Sequence, residues 1–385
     1  MKIHLLKEVH GNFGDELNHW LWHALLPGVW SDDDDVLFVG IGTILDKNLP
    51  PARIRVVFGT GAGYTAAPPD ISANSARWHI YGVRGPLTAR ALKLDKRFVM
   101  TDPAILLATL QEFRGLHRRG VIFIPHWKSV RYGYWETICK TLGIEFVDPC
   151  QDSKSVVRRI ASAEKVIAES MHAAIIADAF RVPWIPIALS REVSPFKWVD
   201  WAASMDVPYR PVCLPASNRI EHVRNALLKW SVHSNAAGYP SPGLVAQGFR
   251  MHFEDLDGLM SDFEEIARRI NQKWRWNASI GLEVILKRLA RLGLGPSAFI
   301  EFGASERMLD AATRQLAKLL PSGGYLSSDR AHGRSLDYTV AQLEEFKRDS
   351  RRGEFTRHSA SPSSTASRFS STFFQMRFAR ILRNR

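Results

Sequence analysis

Residues that could do chemistry in this chain sit on short polar loops that follow apolar strand patterns. Ser170 and His172 lie in Glu169-Ser170-Met171-His172, between a strand pattern at 165–168 and an apolar helix pattern at 172–180. Unpaired N–H groups and the helix macrodipole favour an anion at such a turn, so Ser170 and His172 could face a phosphate or carboxylate. A histidine there could move protons beside it. The competing reading is a structural histidine in a tight strand-to-helix turn. His10-Gly11-Asn12-Phe13-Gly14-Asp15-Glu16-Leu17-Asn18 follows the first strand pattern and opens the first helix. Its glycines permit close backbone approach, and Asn12, Asp15 and Asn18 supply hydrogen-bonding groups. Arg84 ends a strand before Gly85-Pro86, where its guanidinium could fork to phosphate or carboxylate. His126 and Lys128 end the strand at 121–124, and Asp102 stands before Pro103 in a helix-capping position.

Several chemistries are disfavoured by the same loops. Gly40-Ile41-Gly42-Thr43 and Gly59-Thr60-Gly61-Ala62-Gly63 lack the full dinucleotide fingerprint with its following acidic residue, and no GxxxxGK[ST] occurs. The run Asp32–Asp35 has no partnering His or Glu cluster and reads as a solvated loop, so no metal site is expected. Cys139, Cys150 and Cys213 form neither a CxxC pair nor a metal-ligand spacing, and read as reduced thiols.

The elements that position these loops alternate in the βα manner. Strand patterns fall at 2–6, 36–41, 53–58, 78–83 and 98–100, with helical patterns at 16–26, 87–94 and 104–112. A basic stretch at 113–120 reads as a linker, after which the alternation restarts. Strands follow at 121–124, 144–147, 165–168 and 184–188, and helices at 132–142, 156–163 and 172–180. This predicts an α/β chain with two successive Rossmann-type units facing a cleft at their strand ends. The expected divisions are 1–115 and 120–215 for these units, 216–346 for a mostly helical region, and 347–385 for a basic, Ser-rich disordered tail. Leu256, Met260, Phe263 and Ile266 share a helical face in the third division and read as packing. Further on, 298–302 is a candidate strand and 304–319 a candidate helix.

Composition is that of a globular protein, with 45% hydrophobic and 23% charged residues. No apolar run approaches the roughly 20 residues of a spanning helix, and no signal peptide is read at the start. The net charge of +12 is uneven: residues 347–385 carry +8 of it. A basic tail of this kind suits an anionic surface better than nucleic acid, for which no motif is present. The aromatic and arginine residues at 373–383 could form a short membrane-surface helix, with plain disorder as the alternative.

The ordered set GNFGDELN (11–18), VGIGTIL (39–45), VFGTGAG (57–63), VRGPLT (83–88), TDPA (101–104), IPH (124–126) and ESMHAAIIADAFRVPWI (169–185) resembles the polysaccharide pyruvyl transferase family. It looks closest to the ketal-pyruvate transferases of exopolysaccharides of the succinoglycan and xanthan type. The resemblance covers about residues 1–205. It implies a glycosyltransferase-B-like fold of two Rossmann-type domains. It also implies transfer of the enolpyruvyl carbons of phosphoenolpyruvate to two hydroxyls of a sugar, giving a cyclic ketal and phosphate. Protonation of the methylene carbon would create an oxocarbenium-like centre at C2, to which the hydroxyls add.

On this resemblance no cofactor is expected beyond phosphoenolpyruvate as donor substrate. His172 would be the acid/base, with Asp15 beside it. Arg84, Asn12, Ser170 and His126 would bind substrate. Many family members carry Arg-x-His at the helix start, and Ser170 stands here in the arginine's place. Arg191 and Lys197, after the next strand, are the candidates to restore the charge. The expected acceptor is a lipid-linked oligosaccharide at the cytoplasmic membrane face, with the tail as a peripheral anchor. The competing functions are a sugar-nucleotide glycosyltransferase of the same fold and a catalytically silent scaffold in a polysaccharide assembly.

Overall fold

The computed structural model describes residues 1–5, 11–32, 34–62, 68–190, 193–232 and 304–355. Two parallel sheets carry the chain. The first has the order β1 (Lys2–Ile3), β2 (Val36–Val39), β3 (Ile54–Phe58) and β4 (Trp78–Gly82). The second contains β5 (Val121–Ile124), β6 (Glu145–Phe146), β7 (Lys165–Ala168), β8 (Trp184–Ala188) and β9 (Val212–Cys213), in the order β6-β5-β7-β8-β9. The chain is therefore an α/β protein with parallel sheets, as its alternation predicts.

The described α-helices are α1 (Phe13–Leu25), α2 (Pro86–Ala91), α3 (Trp135–Thr141), α4 (Ser153–Ala161), α5 (Met171–Ala179), α6 (Pro195–Ser204), α7 (Arg219–Val232), α8 (Glu306–Ala317) and α9 (Asp329–Arg351). Every crossover of the second sheet carries one of them. β2 and β3 alternate their side chains between two packed faces. Leu37, Val39 and Val57 meet Trp78, Ala89 and Leu92 on one face. On the other, Trp22 of α1 stands edge-on to Phe38 and Phe58 at ring-centre distances of 4.9 and 5.5 Å. In the second sheet, Phe123, Ile167, Ile185 and Ile187 pack with Trp135 and Ile138 of α3 and Leu316 of α8. All nine residues of α5 are buried, as befits a helix that is apolar almost all round.

Three expectations differ from what is found. The helix predicted at 104–112 is a 3-10 segment at Pro103–Thr109 followed by another at Gln111–Phe113. Leu110 between them is extended, which breaks any continuous ladder. The strand predicted at 98–100 shrinks to one bridge between Val83 and Val99. There the Asp95 carboxylate caps the Arg97 N–H and winds Lys96–Phe98 into a 3-10 turn. At the start of the tail predicted at 347–385, α9 continues to Arg351.

Residues 1–347 form one compact unit and 348–385 a second. Within the first, α9 runs from the second sheet to the first. The Ser327 N–H and hydroxyl donate to Asp178 of α5 near the start of α9. Phe346 near its end meets Phe38 and Tyr81 at ring-centre distances of 5.5 and 5.4 Å. The helical face at 256–266 and the candidate strand at 298–302 lie outside the described residues, while the helix predicted at 304–319 is α8.

Candidate active site

In an open parallel sheet, ligands bind where the strand order reverses, because the loops on either side diverge there and leave a crevice. The second sheet has one such point. The chain passes from β5 to β6 on one side, then returns to β7 on the other side of β5. Ile124 pairs in register with Ala168, so His126 and Ser170 leave the sheet side by side. His172 follows in the first turn of α5.

One buried carboxylate organises this point. Glu169 accepts from the backbone N–H groups of His126, Leu189 and Ser190, each at 2.9 Å. It thereby ties together the loops after β5, β7 and β8. Burial pushes the Glu169 carboxyl above its ordinary range, against the pull of those N–H groups and of the Ser129 hydroxyl. Sequence reasoning missed Glu169, although it stands inside the motif that carries His172, because its partners lie 20, 21 and 43 positions away.

His126 is half-buried at this point. The Lys128 N–H faces its Nδ1 at 3.4 Å, which leaves the ring proton on Nε2. Burial and then the positive charges of Lys197, Lys128 and Arg224 hold its imidazole well below the usual histidine value. His126 is therefore neutral at pH 7, with the charges of three cations acting on it. Lys197 comes from the first turn of α6, as expected of a cation after β8. Arg224 comes from α7, where its Nη1 lies 3.3 Å from Ser190 Oγ and its guanidinium 4.2 Å above the Tyr132 ring. No spacing signal marks Arg224, which lies beyond the motif-bearing region. Arg191 lies outside the described residues. Ser170 holds the N-cap position of α5 with no side-chain capping bond.

His172 is pressed between the two sheets' loops. Its ring lies on Gly14 in the first turn of α1, where any Cβ would overlap it, with Nδ1 the nearest atom. Asn12 and Asp15 flank that glycine, joined by a 2.7 Å bond from Asn12 Nδ2 to Asp15 Oδ2. On the other side, His172 Nε2 lies 3.8 Å from Asp102 Oδ2. Asp102 does cap the following segment, accepting the Ala104 N–H at 3.0 Å through Oδ1. The structure thus brings Asn12, Asp15 and His172 together across the sheets, and Ser170, His126 and Lys197 along the second sheet.

Arg84 has a different place from the one expected of a donor-binding cation. It is fully buried, with Nε 3.1 Å from Asp200 Oδ2, Nη1 2.7 Å from Thr43 Oγ1 and Nη2 3.3 Å from the Ala62 carbonyl. Asp200 also accepts the Thr88 N–H and hydroxyl. All three guanidinium nitrogens are engaged inside the protein, and a Cβ at Gly61 would overlap the group. Arg84 joins the first sheet's loops to α6. Cys150, whose carbonyl approaches Gly11, offers no nucleophile: burial pushes its thiol up to about 11.

The family model for polysaccharide pyruvyl transferase matches residues 7–191. The chain is 42% identical over 240 residues to the succinoglycan biosynthesis protein ExoV of Rhizobium meliloti (strain 1021). That match covers 61% of this chain and 75% of the relative. No solved structure matches. With matched motifs at both sheets' strand ends, this chain belongs to the polysaccharide pyruvyl transferase family and is a transferase enzyme.

Proposed function

We propose that this enzyme transfers the pyruvyl carbons of phosphoenolpyruvate to two hydroxyls of one sugar in an exopolysaccharide repeat unit. The observation that carries this reading is the strand-order reversal where His126 and Ser170 leave β5 and β7 side by side with His172 in the next turn, and where Lys197, Lys128 and Arg224 act on His126. A donor with both a carboxylate and a phosphate needs several positive charges beside a proton carrier. Lys197 and Arg224 supply the charge that Ser170 does not. Arg191 is a further candidate from the same loop. The acceptor lies against Asn12 and Asp15 on the first-sheet side.

The bonds balance as follows. One sugar hydroxyl adds to C2 while its proton is delivered, through His172, to the methylene carbon, which becomes methyl. The second hydroxyl displaces phosphate from C2, and its proton leaves with the phosphate. No redox partner is needed. His172 is the acid/base because its ring lies between Gly14 of the first loop set and Asp102. Preorganised cations stabilise the departing phosphate, as fixed charges do at a reacting centre.

In this reading the two units at 1–115 and 120–215 form a glycosyltransferase-B-like pair. The acceptor is lipid-linked, and the enzyme works at the cytoplasmic membrane face through its basic end. Among the described residues no helix is long and apolar enough to cross a membrane, and +8 of the charge lies in residues 347–385. The relative's role in succinoglycan biosynthesis supports the acceptor class. The test is incubation with phosphoenolpyruvate and lipid-linked oligosaccharide, following phosphate release and the mass of one added pyruvyl group. Turnover lost in His172→Ala is the expected result. Transfer from nucleotide sugars with none from phosphoenolpyruvate would overturn the reading.

A further inference from the structure

Two buried polar atoms beside the site lack any hydrogen-bond partner among the described residues, and they face each other. They are His172 Nε2 and Asp102 Oδ2, 3.8 Å apart. Asp102 is fully buried and His172 is 7% exposed. A buried polar atom left unpaired costs about 1–3 kcal/mol, so two at one spot call for an explanation. The gap exceeds an ordinary hydrogen bond by about 1 Å. Asp102 belongs to the segment before the second sheet and His172 to α5, so a small approach of these two elements closes it. Catalytic hydrogen bonds are often long without ligand and tighten in the complex.

We infer that Asp102 is a positioning residue for His172, accepting the Nε2–H and so making Nδ1 the nitrogen that exchanges protons. A neutral imidazole carries one ring proton, and the partner of one nitrogen decides the role of the other. Asp102 Oδ1 is already committed to the Ala104 N–H, which fixes the carboxylate plane and turns Oδ2 toward His172. On the opposite side of the ring, Nδ1 lies against Gly14, between Asn12 and Asp15. Gly14 has no side chain, so the ring packs directly on the first turn of α1 with its Nδ1 edge toward the acceptor loop. Asp102 thus has two duties on two oxygens: one shapes a turn, the other sets a tautomer.

This inference rests on the proposed reaction for its kinetic consequence, but not for its structural one. The experiment is long-range proton–nitrogen NMR on the full chain with labelled histidine at pH 7.5, with His172 assigned from the His172→Gln spectrum. The wild-type protein should show the proton on Nε2. Asp102→Asn keeps the cap to Ala104 through its carbonyl and presents an amide N–H to Nε2, so the proton should move to Nδ1. In the same variant, turnover should fall at least roughly 100-fold, with the KM for phosphoenolpyruvate within about twofold of wild type. Combined with His172→Ala, Asp102→Asn should cost no further activity.

A wild-type His172 protonated on Nδ1 would overturn the inference, and this single spectrum decides even if the variant fails to fold. An Asn variant with unchanged tautomer and turnover would overturn it as well. The predicted pair of tautomers in a protein that transfers no pyruvyl group would uphold the Asp102–His172 pairing while sinking the reaction assigned to the site.

Discussion

In the first sheet each crossover steps the same way, from β1 to β4, and the only described helix among these crossovers is α1. In the second sheet the order turns back after β6, and every crossover carries a helix. The difference shows in how polar side chains are used. Around the first sheet they are spent on internal ties: Asn18 holds the Ile41 N–H and carbonyl and the Trp22 indole, and Arg84 holds Asp200, Thr43 and Ala62. Around the second there are such ties too, from Asp178 to Ser327 and from Glu169 to the backbone N–H groups of three loops, but the charges of Lys197 and Lys128 also converge on His126 at the reversal point. A sheet with a reversal has a crevice to furnish. A sheet without one contributes a wall.

The comparison can be broken at Arg84, where the largest effect is expected. Arg84→Ala leaves the buried Asp200 charge uncompensated and should lower unfolding free energy by about 4 kcal/mol in urea denaturation. Replacing both, with Arg84→Met and Asp200→Leu, should recover most of it. An Arg84→Ala protein of normal stability with a raised donor KM would instead return Arg84 to the donor site.

Next in size is Gly14→Ala, whose methyl group must displace the His172 ring. Turnover should fall roughly 100-fold, since a small misplacement of a catalytic group is worth that much, while the donor KM stays near wild type. Lys197→Ala, on the second sheet's side, should show the reverse split. Its KM for phosphoenolpyruvate should rise about tenfold, equivalent to about 1.4 kcal/mol of binding, with kcat little changed. If Gly14→Ala raised KM and Lys197→Ala lowered only kcat, the division between wall and crevice would be wrong.

The smallest effect is a pH dependence. His126 is neutral in the folded protein, whereas an unfolded chain takes up a proton at this residue below its ordinary value of 6.5. The unfolded state then binds more protons, so stability is present above 6.5 and lost as pH falls below it. The slope is at most about 1.4 kcal/mol per pH unit. Urea denaturation at pH 7.5 and 5.5 should show a smaller difference for His126→Asn than for wild type. Equal differences would place His126 outside the reach of those cations.

Much of this was legible in the chain, and the limits have physical causes. β2, β5 and β8 are continuous apolar runs, and β3 and β7 are apolar but for Arg55 and Lys165, a signal that needs no tertiary context. His172, Asp15, Asn12 and His126 could be proposed from sequence because each sits within a few residues of a strand pattern. Arg84 was visible as a strand-end arginine suited to an anion, but Asp200 lies 116 positions away and only the fold brings it near. Arg224 has the same difficulty, since a lone arginine in a helix gives no local sign of its distant neighbours. Asp102 was read as a cap, which is correct for one oxygen. The role of the other is set by His172, 70 positions on, which no local pattern records.

The placement of α9 has a mechanical consequence. The backbone passes between the two sheets at residues 114–120 and again along α9, whose 23 residues span about 35 Å at 1.5 Å each. The seam between the sheets is pinned along its length as well: the Phe13 N–H donates to the Pro149 carbonyl at 2.9 Å, Ser153 Oγ to the Phe13 carbonyl at 2.8 Å, and Arg84 holds Asp200 at 3.1 Å. Among the described residues, then, a strut and several pins clamp one joint, and the Asp102–His172 pair sits inside it.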